Sequence, residues 1–491
     1  MDELTTLSND SLNRLPANVA RPRYDRAALS HGIVHIGLGN FHRAHQSWYL
    51  HRLMQDGHAH DFAIVGAGVR PADSAMRDKL LAQDGLTTLI ELDPTGMGAE
   101  VVGAMIDFCP IAADNAPLVA ALADPATRIA SLTVTEGGYY QDAAGHSLDG
   151  SHADIRHDAA SPERPRTAFG AIVAALKQRR ANGQPAFTVQ SCDNLQGNGA
   201  IARQTVTGLA RLSDPALADW IEQNVSFPNA MVDCIVPATG PHEIALARQF
   251  GIADAAPVTH ENFRQWVMED DFCAGRPPWE LAGATFTSDV HAYEIMKLRV
   301  LNAGHQIIAN PGELLSLDTI ADCMASEAVR TYFAKVAETE ILPHVDPVPE
   351  MTPQAYFQQT RTRFSNTAIG DTTRRVAFDG SSRHAGFVLP TVRERLAAGG
   401  AVDGLALVEA LWARMARGTR EDGTEIAAND PDWDRLVAVA KAARARPEAW
   451  LDQNPFYGDL KDAEAFVQPF CRWMRFIDEN GTEAALAHYS A

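Results

Sequence analysis

Residues 32–54 read GIVHIGLGNFHRAHQSWYLHRLM, and this stretch constrains the fold more than any other. Residues 33–36 form a short apolar run with the composition of a buried strand, Gly37 and Gly39 supply a tight turn, and residues 45–54 carry the pattern of a following helix. A strand passing through a glycine turn into a helix opens a parallel sheet, because a parallel neighbour is reached only by a crossover. The same form recurs. A second strand is expected in FAIVGAG (62–68) and a third in TTLIEL, with a helix in ADSAMRDKLLAQ between them. RIASLTVTEGGYY and PAFTVQSCDN repeat the apolar run ending in polar or glycine residues. In such sheets ligands sit at the carboxyl ends of the strands.

Near Val290 the pattern changes to long helical runs such as ALVEALWARMARG and LDTIADCMASEAVRTYFAKVAETEIL. The chain of 491 residues is too long for one ordinary core. The expected class is therefore α/β: a Rossmann-type dinucleotide-binding domain with additions over residues 1–289, then a mainly α-helical, substrate-binding domain over 290–491.

A net charge of −20 repels nucleic acid and anionic membrane surfaces, and no basic stripe offsets it. Neither is expected as a partner, and a small neutral ligand fits better. The N-terminal residues lack the apolar core of a signal peptide and no run is long enough to cross a bilayer, so a cytoplasmic location is expected. The six cysteines are scattered without a C-x-x-C pair, which points away from a disulfide framework or a thiolate zinc site. His42 and His45 have loose metal-ligand spacing but no third ligand nearby in sequence. No metal is expected.

The Gly37-Leu38-Gly39-Asn40-Phe41-His42 turn lacks the third glycine of the usual dinucleotide fingerprint. Its place between the first strand and a helix still suits a pyrophosphate, whose charge is favoured at a helix N-terminus. After the second strand the chain gives Arg70 and then Asp73. An acid there binds the ribose hydroxyls of NAD and a base the phosphate of NADP, so Arg70 leaves the choice open.

Only six lysines occur: Lys79, Lys177, Lys297, Lys335, Lys441 and Lys461. Lys297 lies in YEIMKLRVLNAGHQ with Asn302 and His305. Arginine holds its proton near neutral pH, whereas a buried lysine can release one. On an α-helix His305 stands about 80° and Asn302 about 140° round from Lys297. In a hydride-transfer enzyme the lysine takes the alcohol proton, asparagine amides hold the alkoxide oxygen and a histidine orients a neighbouring hydroxyl. Asn194, just past a strand end in SCDN, offers a second amide. Gly304 weakens its helix by about 1 kcal/mol relative to alanine, for close approach of a ligand or backbone or for a packing contact.

GLGNFHRAHQ, TEGGYY, SCDNLQGNG, SFPNAMVDCIVP, RPPWE, EIMKLRVLNAGH, RFSNTAIGD and VAFDGSSR occur in this order over nearly the whole chain. With these motifs the sequence resembles the polyol-specific long-chain dehydrogenases. The resemblance implies reversible oxidation of an acyclic polyol, D-mannitol to D-fructose foremost, without a metal and with NAD as cofactor, NADP remaining open. It implies Lys297 as general acid/base, Asn194 and Asn302 as the oxyanion pair, and His305 as a substrate-orienting group. By the same resemblance Asp233 lies beside the nicotinamide, Glu136 exchanges protons with solvent, and Arg375 and Arg383 belong to the substrate pocket. Relatives can function as monomers, and nothing in the sequence demands an interface. Two departures stand out: Arg383 replaces a lysine common among relatives, and Pro71 stands where NAD-selective relatives tend to carry an acid. Relatives acting on arabinitol, sorbitol, fructuronate or tagaturonate define the enzymatic alternatives, extra arginines suiting a uronate. A non-catalytic dinucleotide sensor is the alternative of another class, and a zinc alcohol dehydrogenase a further one.

Overall fold

The computed structural model describes residues 4–142 and 147–491. The chain divides into two units, Met1–His291 and Ala292–Ala491.

In the first unit four of the strands predicted from apolar runs pair with Met105–Phe108 into a five-stranded parallel sheet, in the order Met105–Phe108, Ala63–Ala67, His31–Ile36, Ile129–Leu132, Thr188–Ser191. Numbered along the chain within this sheet, the order is 3-2-1-4-5, that of the doubly wound dinucleotide-binding fold. The inner strands are buried on both faces, which is why they read as continuous apolar runs without alternation, while Asp107 of the edge strand is exposed. Val34, Ile36 and Leu132 pack against the Ala168–Ala181 and Asn198–Ser213 helices, while Ile33, Ile64 and Met105 face the cluster holding Tyr49, Leu53, Trp266 and Trp279.

The expected third strand is corrected. TTLIEL lies in Thr87–Asp93, which belongs to a separate four-stranded sheet, antiparallel to Gly96–Val102 and parallel to Val258–Glu261. Its return partner is close in sequence, so the Asp93-Pro94-Thr95-Gly96 turn closes a hairpin before any crossover can form. Met105–Phe108 takes the third place in the main sheet. A smaller sheet pairs Ala230–Asp233 with Gln265–Met268 and the latter with Thr285–Phe286.

The second unit is built of helices, as expected. The helical run LDTIADCMASEAVRTYFAKVAETEIL is divided at Ser326 into Ile320–Ala325 and Glu327–Val336, then widens to a π-helix at Ala337–Ile341. Val290–Met296 continues into a π-helix at Lys297–Asn302 and returns to α-helix at Ala303–Leu314. A third π segment, His384–Val388, packs against the Lys297–Asn302 turn. Among the described residues no helix is long and apolar enough to cross a membrane.

Candidate active site

The first strand and Ile129–Leu132 lie side by side, although a crossover to the other side of the sheet separates them in sequence. At this switch point, Gly37 and Thr133 follow the strand ends. Gly37 has φ +93°, and a Cβ there would collide with the Thr133 carbonyl. Only glycine fits. The Gly39 amide donates to the Gly37 carbonyl at 2.8 Å, closing the turn, and Gly39 caps Asn40–Ala44. A Cβ on Gly39 would meet only the Gly37 oxygen, at 3.9 Å, so the space beside it is open. This is the cradle a pyrophosphate needs, and the two glycines present fit the group without a third.

The Asn40 amide donates to Pro237 O and Thr239 Oγ1, both at 2.9 Å, and its oxygen accepts from Arg43. Its side chain therefore braces the turn. Phe41 stacks on His45 at 4.8 Å. The two HRAH imidazoles have separate surroundings: His42 stacks on His35 at 3.4 Å, while His45 Nε2 lies 3.1 Å from Gln265 O. His35 is wholly buried between Ser131 Oγ and Thr133 Oγ1, at 2.7 and 2.8 Å. Burial pushes His35 down to about 3 and His42 well below its ordinary value, so both rings are neutral. No group of three or more potential metal ligands is found among the described residues.

At the end of the second strand Arg70 is exposed. Asp73 Oδ2 accepts from the Val69 and Arg70 amides at 3.0 and 2.9 Å, so this carboxylate caps its own loop.

Glu136 is exposed at the start of a 3-10 turn, directly after Thr135 at φ +65°. Asn194 is exposed beyond the Thr188–Ser191 strand, and Asp233 closes Ala230–Asp233 and is buried. Two buried side chains that the sequence reading passed over join these segments. Asp193 accepts from the Val134 and Thr135 amides, at 3.1 and 2.9 Å, and from Tyr139 OH at 2.7 Å. Asn198 donates to Asp193 O and Ala230 O, at 3.0 and 2.7 Å, and accepts from the Ala230 amide at 2.9 Å. Both stand in the SCDNLQGNG motif, where polar residues just past a strand end are the signal that could have found them.

In the second unit Lys297 and Asn302 are 7% and 8% exposed. They mark the two ends of the π segment. The α-helical angle of about 140° therefore does not apply, because i→i+5 hydrogen bonding brings residues five apart onto nearly one side. His305, one turn further, lies flat on Phe364 at 4.2 Å. Gly304 is resolved in favour of packing: its Cβ would stand 3.1 Å from two ring atoms of Phe333.

Arg375 is held by both oxygens of Asp371, each contact 2.5 Å. Arg383 donates to Val376 O at 2.6 Å, and the same carbonyl accepts from Gln306 at 3.1 Å. The segments carrying both arginines are thus tied to the helix that carries His305. Behind Arg383, fully buried His384 bonds Glu409 at 2.7 Å and Asn310 at 2.9 Å, and Glu409 also accepts from Tyr457 at 2.6 Å. A glutamate within the apolar run ALVEALW was the sequence signal for this network.

A family model described as the mannitol dehydrogenase Rossmann domain matches residues 31–281, and one for the mannitol dehydrogenase C-terminal domain matches residues 289–476. The sequence is 52% identical over 474 residues to mannitol 2-dehydrogenase of Cereibacter sphaeroides, covering 96% of this chain and 99% of the relative. It is 39% identical to the Emericella nidulans mannitol 2-dehydrogenase, over 97% of each chain. The solved ternary complex of Pseudomonas fluorescens mannitol 2-dehydrogenase with NAD and D-mannitol superposes with a TM-score of 0.90 at 39% identity, covering 99% of each chain. A substrate-free D-sorbitol dehydrogenase gives 0.87 at 36% identity, over 98% of this chain and 100% of the other.

Proposed function

The chain belongs to the mannitol dehydrogenase family, and from that premise we propose that it is an NAD-dependent oxidoreductase interconverting D-mannitol and D-fructose. The observation that carries the reading is the buried Lys297–Asn302 π-turn, which gives a proton acceptor and an amide donor to one side of a helix.

Bound NAD supplies the hydride acceptor, at C4 of its nicotinamide. Gly37 and Gly39 would hold its pyrophosphate, with Asn40 and Phe41 shaping the turn, and Arg70 and Asp233 would serve its adenosine and nicotinamide ends. In oxidation, uncharged Lys297 takes the proton of the reacting hydroxyl as the C–H hydride leaves. Asn194 and Asn302 donate to the oxygen while it carries negative charge, which stabilises the transition state more than the ground state. His305 orients a neighbouring hydroxyl, and Glu136 passes the proton on to solvent. In reduction the steps reverse, and the lysinium returns the proton.

The uronate alternative needs a cation for the substrate carboxylate. Arg375 is already neutralised by Asp371, so this arginine does not itself select for a carboxylate. The test is the initial rate of NADH and NADPH oxidation with D-fructose and with D-fructuronate. Fructose turnover is expected. Turnover of fructuronate alone would move the protein to uronate reduction, and cofactor binding without turnover would make it a sensor.

A further inference from the structure

Thr135 is β-branched and stands at φ +65°, ψ 167°, a region that non-glycine residues avoid. Such a conformation persists only where its surroundings over-determine it. The Gly138 amide donates to the Thr135 carbonyl at 3.0 Å, and one carboxylate holds the amides on the other side. Asp193 is buried; Oδ1 accepts from the Thr135 amide, and Oδ2 accepts from the Val134 amide and Tyr139 OH. Those three donors bracket Glu136. Through its own carbonyl, Asp193 also accepts from Leu195 at 2.9 Å and from Asn198, so Asn194 is pinned on both sides. Asn198 then carries the connection to Ala230, at the start of the strand that ends in Asp233.

We propose that Asp193 is a positioning residue of the reaction: its ionised carboxylate holds the strained Thr135–Glu136 turn in register with Asn194, and Asn198 extends that register to the Asp233 strand. The proposal rests on the polyol dehydrogenase reading for the roles of Glu136 and Asn194, but the restraint itself exists without substrate. An ionised carboxylate accepts all three bonds as charge-assisted ones, whereas protonation weakens the two amide bonds and leaves Tyr139 free to turn its hydroxyl toward Ser191 Oγ, 2.6 Å away. Asp193 therefore restrains the turn most strongly when charged. Its surroundings make that charge costly. Burial, aided by the nearby Glu136 carboxylate, pushes Asp193 up to about 6, against the lowering effect of Tyr139, Thr135 and Val134. Tyr139, Glu136 and Cys192 are titratable groups that act on it, and none of the three is a cation.

The test compares the parent enzyme, Asp193→Asn and Tyr139→Phe in fructose reduction across pH, with amide exchange over residues 133–140 measured in parallel. In Asp193→Asn, kcat should fall about a hundredfold, the scale of a 1 Å misplacement, while the Kd for NADH stays within about threefold. Tyr139→Phe keeps both backbone bonds and removes a donor that favours the charged form. The acid limb of its kcat profile should therefore move to higher pH by at least about half a unit. Exchange at Val134 and Thr135 should accelerate at least about tenfold in Asp193→Asn. An unmoved acid limb in Tyr139→Phe, or Asp193→Asn with kcat within about threefold of the parent, overturns the proposal. If Asp193→Asn does not fold, the Tyr139→Phe profile decides. Exchange needs no substrate, so unchanged protection overturns the restraint even if the parent turns over no polyol, which by itself would overturn only the assigned reaction.

Discussion

Lys297 and Asn302 stand at the two ends of a single π segment, both more than nine-tenths buried, in a helix that is α-helical before and after them. Such insertions are rare and concentrate at functional sites. Here the wider turn aligns two polar groups that a regular α-helix would splay apart, and it brings them to one side without a loop. Alignment of a proton acceptor with an oxyanion donor has direct consequences for catalysis.

Asn302→Ala should lower kcat about 10²–10³-fold, the cost of removing one preorganised oxyanion donor, with KM for fructose changed much less. Steady-state kinetics on the purified variant checks this. A raised KM with an unchanged kcat would assign Asn302 to ground-state binding instead.

Asp371 masks Arg375 through two contacts of 2.5 Å. Asp371→Asn leaves the guanidinium unneutralised, and the ratio of kcat/KM for fructuronate to that for fructose should rise about tenfold. An unchanged ratio would remove Arg375 from the substrate pocket.

Glu409 receives both His384 and Tyr457 in the core of the second unit. Glu409→Leu strands two buried donors and should lower the stability of that unit by about 2–5 kcal/mol, read from the urea midpoint. A loss below about 0.5 kcal/mol would mean that the network contributes nothing net.

The first unit should weaken in acid. Burial holds both His35 and His260 down to about 3, against an ordinary value of 6.5. Between those values the unfolded chain binds the extra protons, so stability is present above pH 6.5 and is lost as pH falls toward 3. The slope is about 1.4 kcal/mol per pH unit for each histidine. Urea unfolding at several pH values should show a shallower slope in His35→Gln; an equal slope would show that His35 is charged in the fold.

Much of this architecture was legible because the responsible signals are local. A β-branched run, then Gly37 and Gly39, then a helical period can hardly be read otherwise, and four of the five central strands followed from the same logic. The third strand did not. Thr87–Asp93 and Met105–Phe108 are both short strands, and which one joins the main sheet depends on hydrogen bonding to distant strands. The relation of Lys297 to Asn302 was likewise hidden, since no residue in KLRVLN announces a π-turn. Asn194 was visible as a polar residue beyond a strand. Its neighbour Asp193 was equally visible, but the importance of a carboxylate that receives backbone amides appears only when the Thr135 turn is brought against it.

The central claim is that Lys297 carries the proton. It is tested most directly by measuring kcat for fructose reduction and the Kd for NADH in Lys297→Ala beside the parent. The account predicts a kcat about a thousandfold lower with the Kd for NADH within about threefold. Retention of more than about a tenth of the parental kcat, a loss of only about 1.4 kcal/mol of transition-state stabilisation, would contradict it.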